Sequence, residues 1–115
     1  MKRLVILGGG ESGTGTAILG KQQGFEVFVS DSGEILKKYK EVLLNNGIPF
    51  EEKNHTESKI LNADVVMKSP GIPESVPLVS KLKENGVKVI SEIEFAAKYT
   101  AATIIGITGS NGKTT

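Results

Sequence analysis

The 115 residues predict an α/β protein, a doubly wound and mostly parallel sheet of about five strands with helices on both faces. Three observations carry that expectation. Short apolar runs rich in Val, Ile and Leu recur at 3–7, 25–30, 63–67, 87–90 and 103–108, and unbroken apolar runs of this length suit strands covered on both sides. Stretches with helical spacing lie between them. The first run also passes directly into Gly8-Gly9-Gly10-Glu11-Ser12-Gly13, a glycine turn able to open a helix.

In chain order, residues 3–7 read as a buried first strand and residues 12–23 as a helix that carries Ala17, Ile18 and Leu19 towards the sheet before Gly24. Phe25 to Ser30 is the second strand, stopping at Asp31-Ser32-Gly33. Ile35, Leu36, Tyr39, Val42 and Leu43 form one apolar stripe on the next helix, with Ser32 as its expected N-cap and Asn45-Asn46-Gly47 as its stop. Ile48 to Glu52 is polar enough to be a short edge strand. A loop with His55, read as solvated, and a helical turn near Ser58 to Leu61 follow. Ala63 to Met67 is the fourth strand and runs into the turn Lys68-Ser69-Pro70-Gly71-Ile72-Pro73, because proline cannot donate to a sheet ladder. A helix from near Ser75 tolerates Pro77 in its first turn and buries Leu78, Val79 and Leu82. Val87 to Ile90 is the fifth strand. Ser91 and Glu94 have capping-box spacing for a helix over 92–99. Thr103 to Thr108 is a sixth strand leading into Gly109-Ser110-Asn111-Gly112-Lys113-Thr114-Thr115, where a following helix is expected but not supplied, so the chain reads as an N-terminal piece of something longer.

Composition narrows the functional classes. A hydrophobic content of 38% suits one ordinary domain with its own core, and 14 Lys plus Arg against 13 Asp plus Glu leave a net charge of +1, without the basic footprint of a nucleic-acid binder. There is no cysteine, which excludes disulfides and thiolate metal sites and fits a reducing cytoplasm. No apolar span reaches 18 residues, so neither a membrane span nor a targeting segment is expected.

The residues that carry chemistry sit in loops at one edge of the sheet. Gly8, Gly10 and Gly13 have G-x-G-x-x-G spacing: the first permits a tight turn, the second lets a ligand approach bare backbone, and the third lets helix press on strand. A helix opening there aims unpaired N–H groups and a positive dipole end at an anion, which makes the turn a diphosphate candidate. A tight connection that binds nothing has the same spacing. Asp31, 23 positions after Gly8, stands where such a fold places an acid that accepts from a ribose, and a carboxylate there accepts equally from a nucleobase N–H or caps a helix. Ser69, Pro70 and Gly71 gain interest from lying on the same sheet edge. Gly112-Lys113-Thr114 is the core of a nucleotide phosphate loop, in which backbone N–H groups wrap phosphate, lysine neutralises charge and a hydroxyl coordinates Mg²⁺. The usual first glycine of that loop would fall at Ile107. A nicotinamide-dependent (NAD or NADP) oxidoreductase domain or a non-enzymatic nucleotide sensor would share the first turn, but a dehydrogenase has no need of the second loop.

Together these motifs resemble the Mur ligase family over the whole chain. Residues 106–115 are similar to its ATP loop, T-G-x-N-G-K-[ST], and Gly8 to Gly13 followed by Asp31-Ser32 and Ser69-Pro70-Gly71-Ile72 resemble the branch that adds D-glutamate. The resemblance implies a Rossmann-like domain over 1–93 for a UDP-linked substrate, UDP-N-acetylmuramoyl-L-alanine. It implies that 94–115 supply the linker helix, first strand and phosphate loop of a truncated ATP-binding domain. Gly8, Gly10, Glu11, Ser12 and Gly13 would then surround the diphosphate, Asp31 and Ser32 the uracil, and Ser69, Pro70 and Gly71 the same pocket. Gly109, Ser110, Asn111, Gly112, Lys113, Thr114 and Thr115 would hold ATP, with Lys113 stabilising transferred charge and Thr114 helping to hold Mg²⁺. Gly33 departs from relatives that can carry arginine there. The resemblance further implies a monomer in the cytoplasm serving peptidoglycan synthesis. The D-glutamate pocket and the remaining catalytic groups would lie beyond Thr115, so the 115 residues alone are expected to bind no cofactor and to be inactive as a ligase.

Overall fold

The computed structural model describes residues 2–72 and 76–98. Strands and helices alternate: β1 (Arg3–Leu7), α1 (Glu11–Gln22), β2 (Glu26–Ser30), α2 (Lys37–Asn45), β3 (Phe50–Glu51), α3 (Glu57–Ile60), β4 (Val65–Lys68), α4 (Pro77–Glu84), β5 (Lys88–Ser91) and α5 (Glu92–Ala96). The five strands form one parallel sheet in the order β3-β2-β1-β4-β5, which is the doubly wound arrangement the sequence predicts. The sixth strand and the loop 109–115 lie outside the described residues, as does Ser75; α4 starts at Pro77 with Val76 as its N-cap, two residues after the expected start.

The core explains why β1 is apolar without alternation. Leu4 and Ile6 pack on one face with Ala17, Leu43 and Phe95, while Val5 and Leu7 pack on the other with Ile60, Leu78 and Leu82. A parallel strand buried on both sides has no face left for polar residues. The expected boundary at 93 falls inside α5, and Phe95 of that helix is fully buried in the first of these clusters. Ser91 caps α5 as expected: its Oγ accepts from Glu94 N–H at 3.1 Å, and its own N–H donates to Glu94 Oε1 at 3.1 Å.

Chain order places the crevice. The chain winds from β1 outward to β2 and β3, then returns to put β4 on the other side of β1, and ligands in such sheets sit beyond the carboxyl ends at that reversal. Leu7 is level with Ser30 of β2 and with Lys68 of β4, so three loops leave the sheet side by side.

Two helices differ from expectation. In α1 the buried residues are Gly13, Thr14, Thr16, Ala17 and Gly20, with Ile18 and Leu19 only half-buried. The helix lies so close to β1 that a Cβ on Gly20 would stand 2.5 Å from Leu4 Cδ2, so small residues occupy the interface in place of the bulky ones. The second helix begins at Lys37, with Leu36 at its N-cap and no side-chain cap, so Ser32 does not cap it. Instead Asp31 Oδ1 accepts from Gly33 N–H at 2.9 Å and Gly33 O accepts from Lys53 N–H at 2.8 Å, holding this segment as a turn. Ile35 and Leu43 are buried, whereas Leu36, preceding the helix, is 60% exposed.

The α1 interface yields a paired prediction. Gly13→Ala should destabilise the fold by about 2–3 kcal/mol, because its methyl would collide with the backbone of Gly8. Gly15→Ala, on the exposed side of the same helix with nothing within 4 Å of an added Cβ, should stabilise it by about 0.5–1 kcal/mol. Urea titration of the two variants checks both signs.

Candidate functional site

Gly8 leaves β1 with φ +109°, a conformation open to glycine, and donates its N–H to Ser30 O at 2.8 Å. Gly9 then donates to Asp31 Oδ2 at 2.7 Å, tying the first loop to the second. The third loop joins them: Ser69 N–H donates to Leu7 O at 3.0 Å, and a Cβ on Gly8 would stand 2.7 Å from Ser69 Cβ. The turn closes where Ile72 N–H donates to Ser69 O at 3.0 Å, and Lys68 Nζ donates to Ile72 O at 2.7 Å. Pro70 and Gly71 are exposed at its tip.

The first turn of α1 has the features an anion requires. Helix bonding starts with Thr14 N–H to Gly10 O at 2.9 Å, which leaves the N–H groups of Glu11, Ser12 and Gly13 ahead of the first intrahelical acceptor. The helix starts at Glu11, one residue earlier than expected, and its N-cap Gly10 brings no side chain to satisfy them. A Cβ on Gly10 would meet nothing within 4 Å, so the space before the helix is open, whereas one on Gly13 would lie 1.8 Å from Gly8 O. Ser12 Oγ is buried and has no hydrogen-bond partner among the described residues. A buried hydroxyl without a partner is destabilising, and an oxyanion at this turn would satisfy it. Of the expected residues, the structure therefore groups Gly8, Gly10, Glu11, Ser12, Gly13, Asp31 and Ser69, while Ser32 is exposed beside Asp31. The expected ATP loop, Gly109 to Thr115, lies outside the described residues.

Sequence reasoning missed the support behind Asp31. His55 is half-buried and not a solvated residue: its Nδ1 lies 2.6 Å from Oγ of the fully buried Ser30. Glu51 closes the same cluster. Its Oε2 accepts from Ser30 Oγ at 2.9 Å and from Thr56 N–H at 2.8 Å, and its Oε1 accepts from Thr56 Oγ1 at 2.6 Å. Burial alone would raise the Glu51 carboxyl, but the Thr56 and Ser30 bonds and the charge of Lys59 outweigh it and hold the group below its ordinary value. Glu52 is also held low, by Ile35 N–H and then by Lys40, as it pins the start of α2. The sequence shows a polar Ser30 ending an apolar strand, but nothing in residue order joins it to the single histidine 25 positions on.

A parallel α/β sheet whose first loop turns free amides outward, next to an acid from the second strand, belongs to the nucleotide-binding class of doubly wound domains. Comparison with known proteins gives the particular family. Residues 3–76 match the family described as the MurD N-terminal domain, and this chain belongs to it. It is 63% identical over 114 residues to the UDP-N-acetylmuramoylalanine--D-glutamate ligase of Christiangramia forsetii, covering 99% of this chain and 26% of that relative. The enzyme of the same name from Bacteroides thetaiotaomicron is 63% identical over 115 residues, covering 100% and 26%. Among solved structures, the UDP-N-acetylmuramate:L-alanyl-gamma-D-glutamyl-meso-diaminopimelate ligase from Neisseria meningitides superposes with a TM-score of 0.73 at 25% identity, over 85% of this chain and 31% of that one. The chain thus spans about a quarter of the length of the curated relatives it matches.

The lowered carboxylates contribute to stability against acid. A group whose folded value is depressed contributes its full stability above the unfolded value, and loses it as pH falls through the folded one. For Glu51 and Glu52 the loss begins near the ordinary value of 4.5 and continues below it. Urea midpoints should therefore fall between pH 5 and more acidic solution, and Glu51→Gln should flatten that fall. An unchanged slope in this variant would remove Glu51 from the account.

Proposed function

We propose that this chain is the domain of a peptidoglycan-precursor ligase that holds the UDP end of UDP-N-acetylmuramoyl-L-alanine, to which the complete enzyme joins D-glutamate. The observation that carries the reading is the first turn of α1: open space at Gly10, amides without intrahelical acceptors, and the unpartnered Ser12 hydroxyl, all within one loop contact of Asp31. Amides of Glu11, Ser12 and Gly13 suit the diphosphate, since backbone donors bind anions without needing a cationic side chain. Asp31 uses each carboxylate oxygen once, for Gly9 and Gly33, and each keeps a lone pair able to accept from the N3–H of uracil. Ser32 and the turn of Ser69, Pro70 and Gly71 border the same space. The relatives, UDP-N-acetylmuramoylalanine--D-glutamate ligases, support the substrate assignment.

The same reading assigns residues 1–93 to substrate binding and 94–115 to the linker and the start of an ATP-binding domain, with Phe95 at the beginning of that linker packed into the core of the sheet. In the complete ligase ATP phosphorylates the substrate carboxylate, and D-glutamate's amine displaces phosphate from the acyl phosphate. The residue types at Gly109 to Gly112 suit an amide cradle, with Lys113 countering phosphate charge and Thr114 and Thr115 supplying hydroxyls, of which Thr114 suits Mg²⁺. No helix of the described residues is long and apolar enough to cross a membrane. We propose a monomer acting in the cytoplasm without nucleic-acid or membrane partners.

Thermal unfolding with UDP, UDP-N-acetylmuramoyl-L-alanine, NAD and NADP tests this. The two uridine compounds should stabilise the 115-residue chain, by about 2.7 kcal/mol at a hundredfold excess over Kd, and the nicotinamide compounds should not. Gly10→Val, placed in open space, should keep the unfolding temperature of the free chain and lose most of the UDP response. Stabilisation by NAD with no response to uridine nucleotides would replace this reading with the oxidoreductase one.

A further inference from the structure

Behind the base-reading acid lies a buried polar chain. Ser30, the residue before Asp31, is 0% exposed, yet three polar atoms surround its Oγ: His55 Nδ1 at 2.6 Å, Glu51 Oε2 at 2.9 Å and Asn54 O at 3.2 Å. The hydroxyl has a single proton to give. Glu51, held ionised by its donors, and the Asn54 carbonyl only accept. If His55 Nδ1 also lacked a proton, three acceptors would compete for one hydrogen; Glu51 Oε2 has Thr56 N–H as a second donor, but Nδ1, 2.6 Å from Ser30 Oγ, would then meet it lone pair to lone pair whenever that hydrogen turned to Glu51. A hydrogen on Nδ1 resolves the conflict. His55 then donates to Ser30 Oγ, and Ser30 passes its own proton to Glu51 Oε2, a charge-assisted chain in which each bond polarises the next.

The chain grips the turn that carries Asp31. Asp31 N–H donates to Glu51 O at 3.1 Å and Asp31 O accepts from Asn54 N–H at 3.2 Å, so both backbone groups of the acid are held by the loop that Glu51 and His55 anchor. Lys53 adopts φ +61° in the same loop, which lets its N–H reach Gly33 O on the far side of the turn. None of these residues contributes to the first turn of α1, where the diphosphate reading lies.

We propose that His55 and Glu51 are positioning residues which, acting through Ser30, lock the Asp31 turn and thereby set the preference of this site for uracil over other bases. The inference rests on the uridine-diphosphate reading above. A carboxylate fixed in place meets the single N3–H of uracil in one orientation, whereas a loosened one accepts from other base donors as readily.

Calorimetric titration of the 115-residue chain with UDP, ADP and inorganic pyrophosphate, in the unmodified form and as Glu51→Gln and Ser30→Ala, tests the lock. UDP affinity should fall roughly tenfold in both variants, the size expected for losing one hydrogen bond to a charged group. ADP and pyrophosphate should change less than twofold. A plain structural brace would instead weaken UDP and pyrophosphate together, and that result, or an unchanged ratio of UDP to ADP affinity, overturns the proposal. Nitrogen-resolved NMR of the unmodified chain gives a readout that survives misfolded variants, because His55 is the only histidine: the proposal requires hydrogen on Nδ1 and fails if it resides on Nε2 alone. An unmodified chain that binds pyrophosphate but shows no preference for UDP sinks the uridine reading itself, separately from the lock.

Discussion

The carbonyl oxygen of Gly8 sits 1.8 Å from the place where a side chain at position 13 would begin, and the geometry of the site follows from this contact. Only hydrogen at that position lets the first turn of α1 rest on the exit of β1. Gly20 repeats the arrangement two turns later, against Leu4, so the helix approaches the sheet closely at two points along its length. A helix held this way presents its first amides at a constant height above the sheet. Gly8 and Gly9, forced into a tight bend by the same contact, turn their own N–H groups sideways to Ser30 O and Asp31 Oδ2.

That sideways turn connects seating with recognition. The acid from β2 is drawn in by an amide of the β1 loop, while the loop after β3 holds its backbone from behind. Hydrogen bonds to an ionised acceptor contribute about 1.5–3 kcal/mol each, enough for two of them to define one orientation of a short side chain. The first turn of α1 and the acid are therefore linked through the Gly9 amide alone, although they come from different loops. The space ahead of Gly10 stays open because nothing in these contacts requires it to be filled.

Much of this was legible from residue order. Apolar runs separated by helical spacing specify a parallel sheet, and the G-x-G-x-x-G spacing assigns its glycines correctly, since Gly8 takes positive φ, Gly10 is open and Gly13 is in close contact. The face of α1 was read only in part: Ala17 is fully buried and Leu19 packs against the core as expected, but the closest approach falls at Gly13 and Gly20, because nearness to a strand selects for the absence of side chain. Ser32 was misread as a cap because the preference for serine at that position is local, whereas the turn that displaces the helix start is held by Lys53 N–H on Gly33 O, from 20 residues away, as well as by the local bond of Gly33 N–H to Asp31. The cluster of Ser30, Glu51 and His55 was invisible for the same reason: no short motif joins positions brought together by the β2–β3 pairing.

Under the proposed reading, the arrangement also accounts for how a nearly neutral chain would hold a highly charged ligand. Across the three converging loops and the strand ends they leave, the basic residue in the sequence is Lys68, whose ammonium donates to Ile72 O; the acids are Glu11, Asp31, Glu34 and Glu74. Side-chain charge alone would repel a diphosphate. Asp31, however, spends its charge on two amides, and Glu11 lies in the first turn of α1, where the positive end of the helix dipole offsets it. Attraction is left to oriented backbone N–H groups, whose strength depends on direction over a few ångströms and not on net charge. A site built this way selects by shape, because an anion displaced from the helix axis loses donors without meeting any cation to replace them. The tight seating of α1 on β1 is thus an electrostatic requirement as much as a packing one.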